Sequence, residues 1–265
     1  MDFLLTSGLI ILGLAVGLII SIIGVSGSVF VIPILMLVYS TPIYAAIGTS
    51  LFIDMIGASV VALSFFRKKT VDLTASLLLI ISALVGSQLG VLIAVNTSEA
   101  SLSYSVCIIF ISIGAIILLR GARKIKHKET IVESQRYNFK SEKQKKIIIL
   151  LIGLFIGLMS GIFGAGGGMM IMFVLLILFQ YPPHTAIGTA TAIMAIIALS
   201  GVIGYSIQGY INLEYGIIVS LGAIVGGSFG SIFISHKLNE NSLMIAMGLV
   251  FILVGIMTLI LITIL

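Results

Sequence analysis

The groups in this sequence best suited to bind an anion lie in two glycine-rich clusters, Gly24-Val25-Ser26-Gly27-Ser28 and Gly164-Ala165-Gly166-Gly167-Gly168. Glycine destabilises a helix interior by roughly 0.5 to 1 kcal/mol relative to alanine, so each cluster predicts that one helix stops and another begins. The second helix then presents free N–H groups and partial positive charge, which a ligand can approach closely over glycine. We therefore predict a substrate-binding site that includes Gly24, Ser26, Gly27, Ser28, Gly164, Gly166, Gly167 and Gly168.

The alternative is that these small residues only let helices pack closely. We prefer packing for the paired glycines elsewhere, which are Gly13 and Gly17, Gly86 and Gly90, Gly153 and Gly157, and Gly226 and Gly230. For the two clusters, which we call the first and the second break, we prefer a binding site. Each interrupts a long apolar run, and non-helical backbone within a membrane persists only where it is buried in protein or lines a polar cavity.

A second repeated element, Ala46–Ser50 and Ala186–Ala190, begins an apolar segment in each half of the chain. Its hydroxyl groups belong to Thr49, Ser50 and Thr189. They either face the same cavity as the breaks or bond back to carbonyl groups of their own helix. The sequence does not favour either alternative. We include all three residues among the substrate-binding candidates.

Asp54 is the one acidic residue well inside an apolar segment, where a carboxylate is costly unless it is protonated or paired. It is our candidate for proton coupling, and the alternative is a protonated acid bonded to a neighbouring helix. Met194 stands at the equivalent position of the second half, so Asp54 lies outside the repeated pattern. We expect His184 in a loop, and Tyr205 at the membrane interface.

The composition indicates an all-α polytopic membrane protein. The chain has 265 residues, of which 60% are hydrophobic and 9% charged, against about 25% charged in ordinary soluble domains. The single cysteine, Cys107, has no partner for a disulfide. Ten of the fourteen Lys and Arg residues lie between Arg120 and Lys146, which is typical of a cytoplasmic loop, so we expect no nucleic-acid partner. We expect no cofactor and no metal.

Ten apolar segments are predicted, at 5–23, 28–39, 44–66, 73–95 and 102–119, and again at 147–163, 168–180, 185–206, 213–234 and 243–264. The two sets match at a constant offset of 140 positions, as in Gly48 and Gly188. The chain therefore divides into a first transmembrane repeat (1–119), a basic linker (120–146) and a second transmembrane repeat (147–265). The segments that follow the breaks are too short to cross a bilayer, which predicts broken or re-entrant helix hairpins.

An odd number of segments per half predicts that the two repeats are inverted in the membrane. With the linker in the cytoplasm, all fourteen basic residues fall on one side and both termini are extracytoplasmic. The rival count treats each broken pair as one span and gives parallel halves, but 35 residues of helix would run about 50 Å. We prefer inversion, in the cell membrane.

The residues resemble the sulfite exporter TauE/SafE family, also called the 4-toluene sulfonate uptake permease family. The resemblance rests on a duplicated unit with a glycine-rich turn, a proline-containing apolar run and an A-x-G-T-S helix start, here Gly24–Ser28 with Pro33 and Ala46–Ser50. It implies secondary transport of sulfite, thiosulfate, sulfonates or other organic anions. Two departures are Ser26 and Ser28 in place of more usual glycines, and Phe173 where the second half would often have proline.

The leading hypothesis is thus a secondary anion transporter that works by alternating access, with a small anion and protons as partners in the lipid bilayer. An anion channel on the same scaffold is the alternative, and the sequence leaves a homo-oligomer open. An intramembrane serine protease, with Ser26 as nucleophile in Gly24-Val25-Ser26-Gly27, is disfavoured because no histidine lies inside a segment and the repeat partner of Ser26 is Gly166. We do not expect an enzyme.

Overall fold

The computed structural model describes residues 3–73, 76–108, 112, 142–164, 167–179 and 181–234. Gly166 lies outside the described residues, as do Ala165, most of the basic linker and the whole predicted segment at 243–264. The predicted segment at 102–119 is described as far as residue 108 and at residue 112, and residues 99–108 are helical.

The described chain is helical and contains no strand. Its helices are α1 (Phe3–Ile23), α2 (Ser28–Val38), α3 (Ile43–Arg67), α4 (Leu77–Val95), α5 (Glu142–Phe163), α6 (Gly168–Ile177), α7 (Pro183–Ile207) and α8 (Leu213–Phe229), followed by a π-helical turn at Gly230–Ile234. Six of them are long and apolar enough to cross a bilayer. The expected all-α polytopic membrane fold is confirmed. His184, which we expected in a loop, belongs to the first turn of α7.

The helices that follow the breaks are short, as predicted. α2 has 11 residues and α6 has 10, so they run only about 16 Å and about 15 Å. At the end of α2 the Tyr39 hydroxyl donates to the carbonyl of Leu5 at 2.7 Å. Since Leu5 lies near the start of α1, α1 and α2 form a hairpin whose open ends meet and whose closed end is the first break.

Glycine-mediated contacts join the two halves in repeat-related pairs, with α1 packed on α8 and α4 on α5. A Cβ atom added at Gly17 would lie 2.2 Å from the carbonyl oxygen of Ala223, and one at Gly157 would lie 2.0 Å from that of Ala83. The contacts of Gly86 and Gly226 are equivalent. Close backbone packing is thus confirmed for the paired glycines except Gly230, where a Cβ would meet the side chain of Ser21.

α3 and α7, which the repeat relates to each other, pack together at the centre of the molecule and run antiparallel. A Cβ at Gly48 would contact Tyr205 at 3.0 Å, and one at Gly201 would contact Leu51 at 2.8 Å. At the other end, a Cβ at Gly188 would lie 2.9 Å from Phe65. Residue numbers therefore rise along one helix as they fall along the other.

Tyr205, which we expected at the membrane interface, is fully buried within the protein in the last turn of α7. Its hydroxyl group donates to the carbonyl of Gly161 at 2.9 Å. This hydrogen bond satisfies the one polar group that would otherwise oppose burial of the ring.

Candidate functional site

The structure brings the two breaks into contact in the interior. A Cβ added at Gly168 would lie 2.7 Å from the carbonyl oxygen of Gly24 and 3.2 Å from the backbone nitrogen of Ser26. Gly24 and Gly164 adopt the left-handed conformation, with φ of +72° and +66°, which favours glycine. Gly24 packs against Ile187 of α7, and Gly164 packs reciprocally against Ile47 of α3. All the described residues of both breaks are buried.

The first break holds the carboxylate of Asp54, which comes from the middle of α3. The backbone N–H of Gly27 donates to Asp54 Oδ1 at 3.1 Å, and the Ser26 hydroxyl is hydrogen-bonded to Oδ2. Ser28 completes the cluster, because its N–H donates to Ser26 Oγ at 3.1 Å and its hydroxyl oxygen lies 2.7 Å from that atom. Asp54 is completely buried. Its carboxylate accepts the hydrogen bonds of Gly27 N–H and Ser26, which the sequence analysis predicted for a substrate anion.

The second break is built differently. A Cβ added at Gly168 would lie 2.6 Å from the sulfur of Met194, which stands where the first half has Asp54. Gly167 precedes α6 with φ of +67°, whereas Gly27 precedes α2 with φ of −82°. The carbonyl oxygen of Gly164 lies 3.4 Å from the hydroxyl of Ser50. The described part of this break is therefore lined by a thioether and a hydroxyl rather than by an acid.

The threonines of the second repeated element make a contact that the sequence alternatives did not include. Thr49 Oγ1 accepts the backbone N–H of Asn212 at 2.9 Å, and Thr189 Oγ1 accepts that of Asp72 at 3.0 Å. Both donors lie in loops of the opposite half, since α3 meets the start of α8 and α7 meets the loop before α4. We call these two bonds the threonine latches. They join the halves, while a role for the threonines in binding stays a prediction.

Ser50 does follow one of those alternatives. Its hydroxyl donates to the carbonyl of Ile47 in its own helix at 2.8 Å. The same hydroxyl is the one that reaches Gly164, so Ser50 lies at the second break.

Aromatic side chains surround the latch at Asn212. Tyr44 packs on Tyr210 with ring centroids 5.0 Å apart, and Tyr39 packs on Tyr215 at 5.2 Å. They lie at the same end of the molecule as the start of α1, because Tyr39 contacts Leu5. Two tyrosine pairs, one residue of each from either half, therefore pack at this end.

At the opposite latch, the Tyr181 hydroxyl donates to Asp72 Oδ2 at 2.8 Å. Tyr181 lies between α6 and α7, outside the membrane-spanning helices. Burial, together with the hydrogen bond to Asp72, raises the pKa of Tyr181 to about 12. The phenol therefore stays protonated near neutral pH and acts as the donor in this contact.

The sequence offered one unused signal for these contacts. Asp72 and Asn212 are themselves 140 positions apart, as are Thr49 and Thr189. A search for polar residues repeated at the common offset, including loop residues, would have singled out these four residues, but not which of them bond to each other.

Two open apolar grooves, of about 410 and 400 Å³, flank α7 on the surface. One includes Gln88, whose side-chain amide donates to the carbonyl of Ser200 at 2.6 Å, and the other includes Ser59. None of the described residues of the breaks lines either groove. With exposed Leu199 and Ile203 beside them, they form the kind of surface that lipid chains cover.

Six apolar helices of spanning length around a buried pair of helix breaks define an all-α polytopic membrane protein. Residues 9–258 match the sequence model described as "Sulfite exporter TauE/SafE", and the chain belongs to this family. The resemblance inferred from the motifs is thereby confirmed. No solved structure matches the chain.

Several relatives are likewise named as transporters. "Probable membrane transporter protein YunE" of Bacillus subtilis (strain 168) is 29% identical, over 93% of this chain and 94% of its own. "Probable membrane transporter protein MJ0441" of Methanocaldococcus jannaschii is 25% identical, over 91% and 90%. "Probable membrane transporter protein YdhB" of Bacillus subtilis (strain 168) is 27% identical, over 82% and 85%. The chain thus covers most of the length of each.

Proposed function

We propose that this protein is a secondary transporter of small sulfur-containing or organic anions, such as sulfite, thiosulfate or sulfonates, and that it works by alternating access. The observation that carries the proposal is the buried contact between the two breaks, made by Gly168 with Gly24 and Ser26. Two short helices begin at this contact, so their unbonded N–H groups supply positive potential without a cationic side chain. Binding by dipoles and hydroxyl groups is weak enough to permit release. The family to which the chain belongs supports sulfite and related anions.

We also propose that the two halves are inverted in the cell membrane, with the linker 120–146 in the cytoplasm and both termini extracytoplasmic. The antiparallel packing of α3 on α7 supports inversion, because helices related by the repeat would run parallel in parallel halves. Lys68 Nζ donates to the carbonyl of Ser231 at 2.8 Å, so the Arg67–Lys69 cluster and the end of α8 lie on one side. The positive-inside count requires this arrangement.

Alternating access then opens the breaks to one side at a time. The two threonine latches lie at opposite ends of the α3–α7 pair, and the tyrosines lie at the same end as the latch to Asn212. Opening one end separates one loop from its threonine and leaves the other latch in place. With both latches formed and the breaks buried, the structure has the features of an occluded state.

The test is anion flux into proteoliposomes that contain the purified protein, with sulfite, thiosulfate, sulfate, sulfoacetate and a carboxylate of similar size. Gly24→Ala is the informative variant, because a Cβ there would lie 3.5 Å from Ile187 and fits without a clash. Gly209→Ala is the matched control. Its φ is +73°, nearly the same as at Gly24, but a Cβ there meets no described residue within 4 Å. Both variants carry the same backbone strain, and only one changes a break.

We expect saturable flux of a sulfur anion that falls at least about tenfold in Gly24→Ala and stays near the wild-type value in Gly209→Ala, since about 1.4 kcal/mol of lost binding is tenfold. Flux that is equal in the two variants would place the substrate elsewhere than at the breaks. Unitary currents in place of saturable exchange would show a channel.

A further inference from the structure

We propose that Asp54 competes with the transported anion for the first break, so that an anion binds there only when the carboxyl group has taken up a proton. This inference rests on the proposed function and adds its coupling chemistry. The ionised carboxylate accepts hydrogen bonds from Gly27 N–H and from Ser26. These are the donors that a substrate anion would need, and two anions cannot share them.

The groups that surround Asp54 do not neutralise its charge. Its side chain is completely buried, and its described hydrogen-bond partners are the neutral groups of the first break. The helices packed against α3 are α1, α2, α7 and α8, together with the turn at Gly230–Ile234. α1, α2 and that turn carry no titratable side chain. The titratable residues of α7 and α8 lie in the terminal turns of these helices and are His184, Tyr205, Glu214 and Tyr215.

Within α3 itself, Tyr44 is in the first turn and Arg67 is the last residue. No basic group therefore lies beside Asp54 along its own helix. A buried carboxylate without a cation strongly disfavours a second negative charge nearby.

The two breaks are unequal in this respect. Gly168 contacts the first break at Gly24 and Ser26, and it also contacts Met194, the repeat counterpart of Asp54. An anion held at the contact between the breaks thus meets a carboxylate from one half and a thioether from the other. Of these two side chains, only that of Asp54 can change its charge.

The proton step is simple to write. The carboxylate takes up one proton from solution and becomes a neutral carboxylic acid, which has one donor of its own. Gly27 N–H and the Ser26 hydroxyl are then free to donate to the substrate anion. Release of the anion reverses both changes, so about one proton moves with each anion bound.

The test is thiosulfate binding to the purified full-length protein from about pH 5.5 to about pH 8.5, a range in which thiosulfate itself does not titrate. For the wild type we expect the affinity to fall about tenfold for each pH unit above the range where Asp54 titrates. Asp54→Asn mimics the protonated acid, so we expect affinity close to the low-pH wild type and little pH dependence. Glu214→Gln removes an exposed acid at the start of α8 and should leave the wild-type profile intact.

A second measurement does not depend on any variant folding. Adding thiosulfate to wild-type protein in weak buffer at about pH 8.5, where the free protein holds Asp54 ionised, should take up about one proton per anion bound. Wild-type binding without proton uptake overturns the inference. So does a folded Asp54→Asn protein that has lost binding, or one that keeps the wild-type pH profile. If neither protein binds any anion of the flux panel at any pH, the proposed function fails, and the inference fails with it.

Discussion

Asp54 and Met194 show how one residue can distinguish two otherwise matched sites. Both side chains lie at the contact between the breaks, Asp54 on Gly27 and Met194 on Gly168. A carboxylate fixes the donors of its break, whereas a thioether is only a weak acceptor and leaves backbone N–H groups available. The chemical difference between the halves is therefore concentrated in one pair of positions.

Changing Met194 to aspartate should add a second internal anion at the other break. We expect Met194→Asp to lower thiosulfate affinity about tenfold at a pH where both acids are ionised, because like charges at one site repel. Met194→Leu, which keeps the apolar volume, is the control and should bind like the wild type. Isothermal titration of the three proteins measures the effect. Equal affinities would show that Met194 lies away from the bound anion.

At the scale of the helices, the stability of the molecule depends on close backbone contact between α1 and α8 and between α4 and α5. The contacts are reciprocal, because Gly17 meets Ala223 in one pair and Gly157 meets Ala83 in the other. Each places a carbonyl oxygen where a Cβ atom would have to be. A side chain larger than glycine at these positions would therefore push the two helices of a pair apart.

Gly157→Val should force α4 and α5 apart and destabilise the protein by about 1 to 3 kcal/mol, as overpacking generally does. Gly17→Val should have a similar effect on α1 and α8, since its contact is equivalent. Thermal unfolding in detergent, compared with Gly209→Ala, measures both. An unchanged melting temperature in either variant would contradict the packing described for that helix pair.

The threonine latches allow the two ends of the molecule to be opened separately. Thr49→Val should leave Asn212 N–H without its partner, at a cost of about 1 to 3 kcal/mol, and favour opening at that end. Thr189→Val should do the same at the Asp72 end. A cysteine at Ser28, in a chain that also carries Cys107→Ser, reports access to the first break.

With membrane-impermeant alkylating reagents, we expect faster labelling of that cysteine from the extracytoplasmic face in Thr49→Val and from the linker face in Thr189→Val. Thr191→Val is the control, because its hydroxyl donates within α7 to Gly188. Labelling that is faster from the same face in both latch variants would contradict the assignment of the latches to opposite ends.

The sequence contains enough to predict the breaks, the short helices after them, the repeat and the paired glycines, because each is a local pattern of residue types. It does not predict the partners of Thr49, Thr189 and Tyr205. Periodicity shows which residues share a helix face, but not which loop or carbonyl of the other half approaches that face. Asp54 illustrates the limit, since its position inside a helix was evident while its contact with the first break depends on how α3 packs against the α1–α2 hairpin.

At the scale of the whole molecule, the halves contact each other through matched pairs, as in Thr49 with Asn212 and Thr189 with Asp72. If the halves exchange conformations during transport, the outward-facing and inward-facing states use the same set of interactions with the roles swapped. The interactions shared by the outward-facing and inward-facing states then contribute equally to both free energies. The difference in free energy between the two states comes from the positions at which the two repeats carry different residues. Those positions include Asp54 opposite Met194, Ser26 opposite Gly166, and Pro33 opposite Phe173. The direction in which the resting protein faces thus depends on where the two halves differ in sequence, and Asp54 opposite Met194 is one such pair that differs in charge.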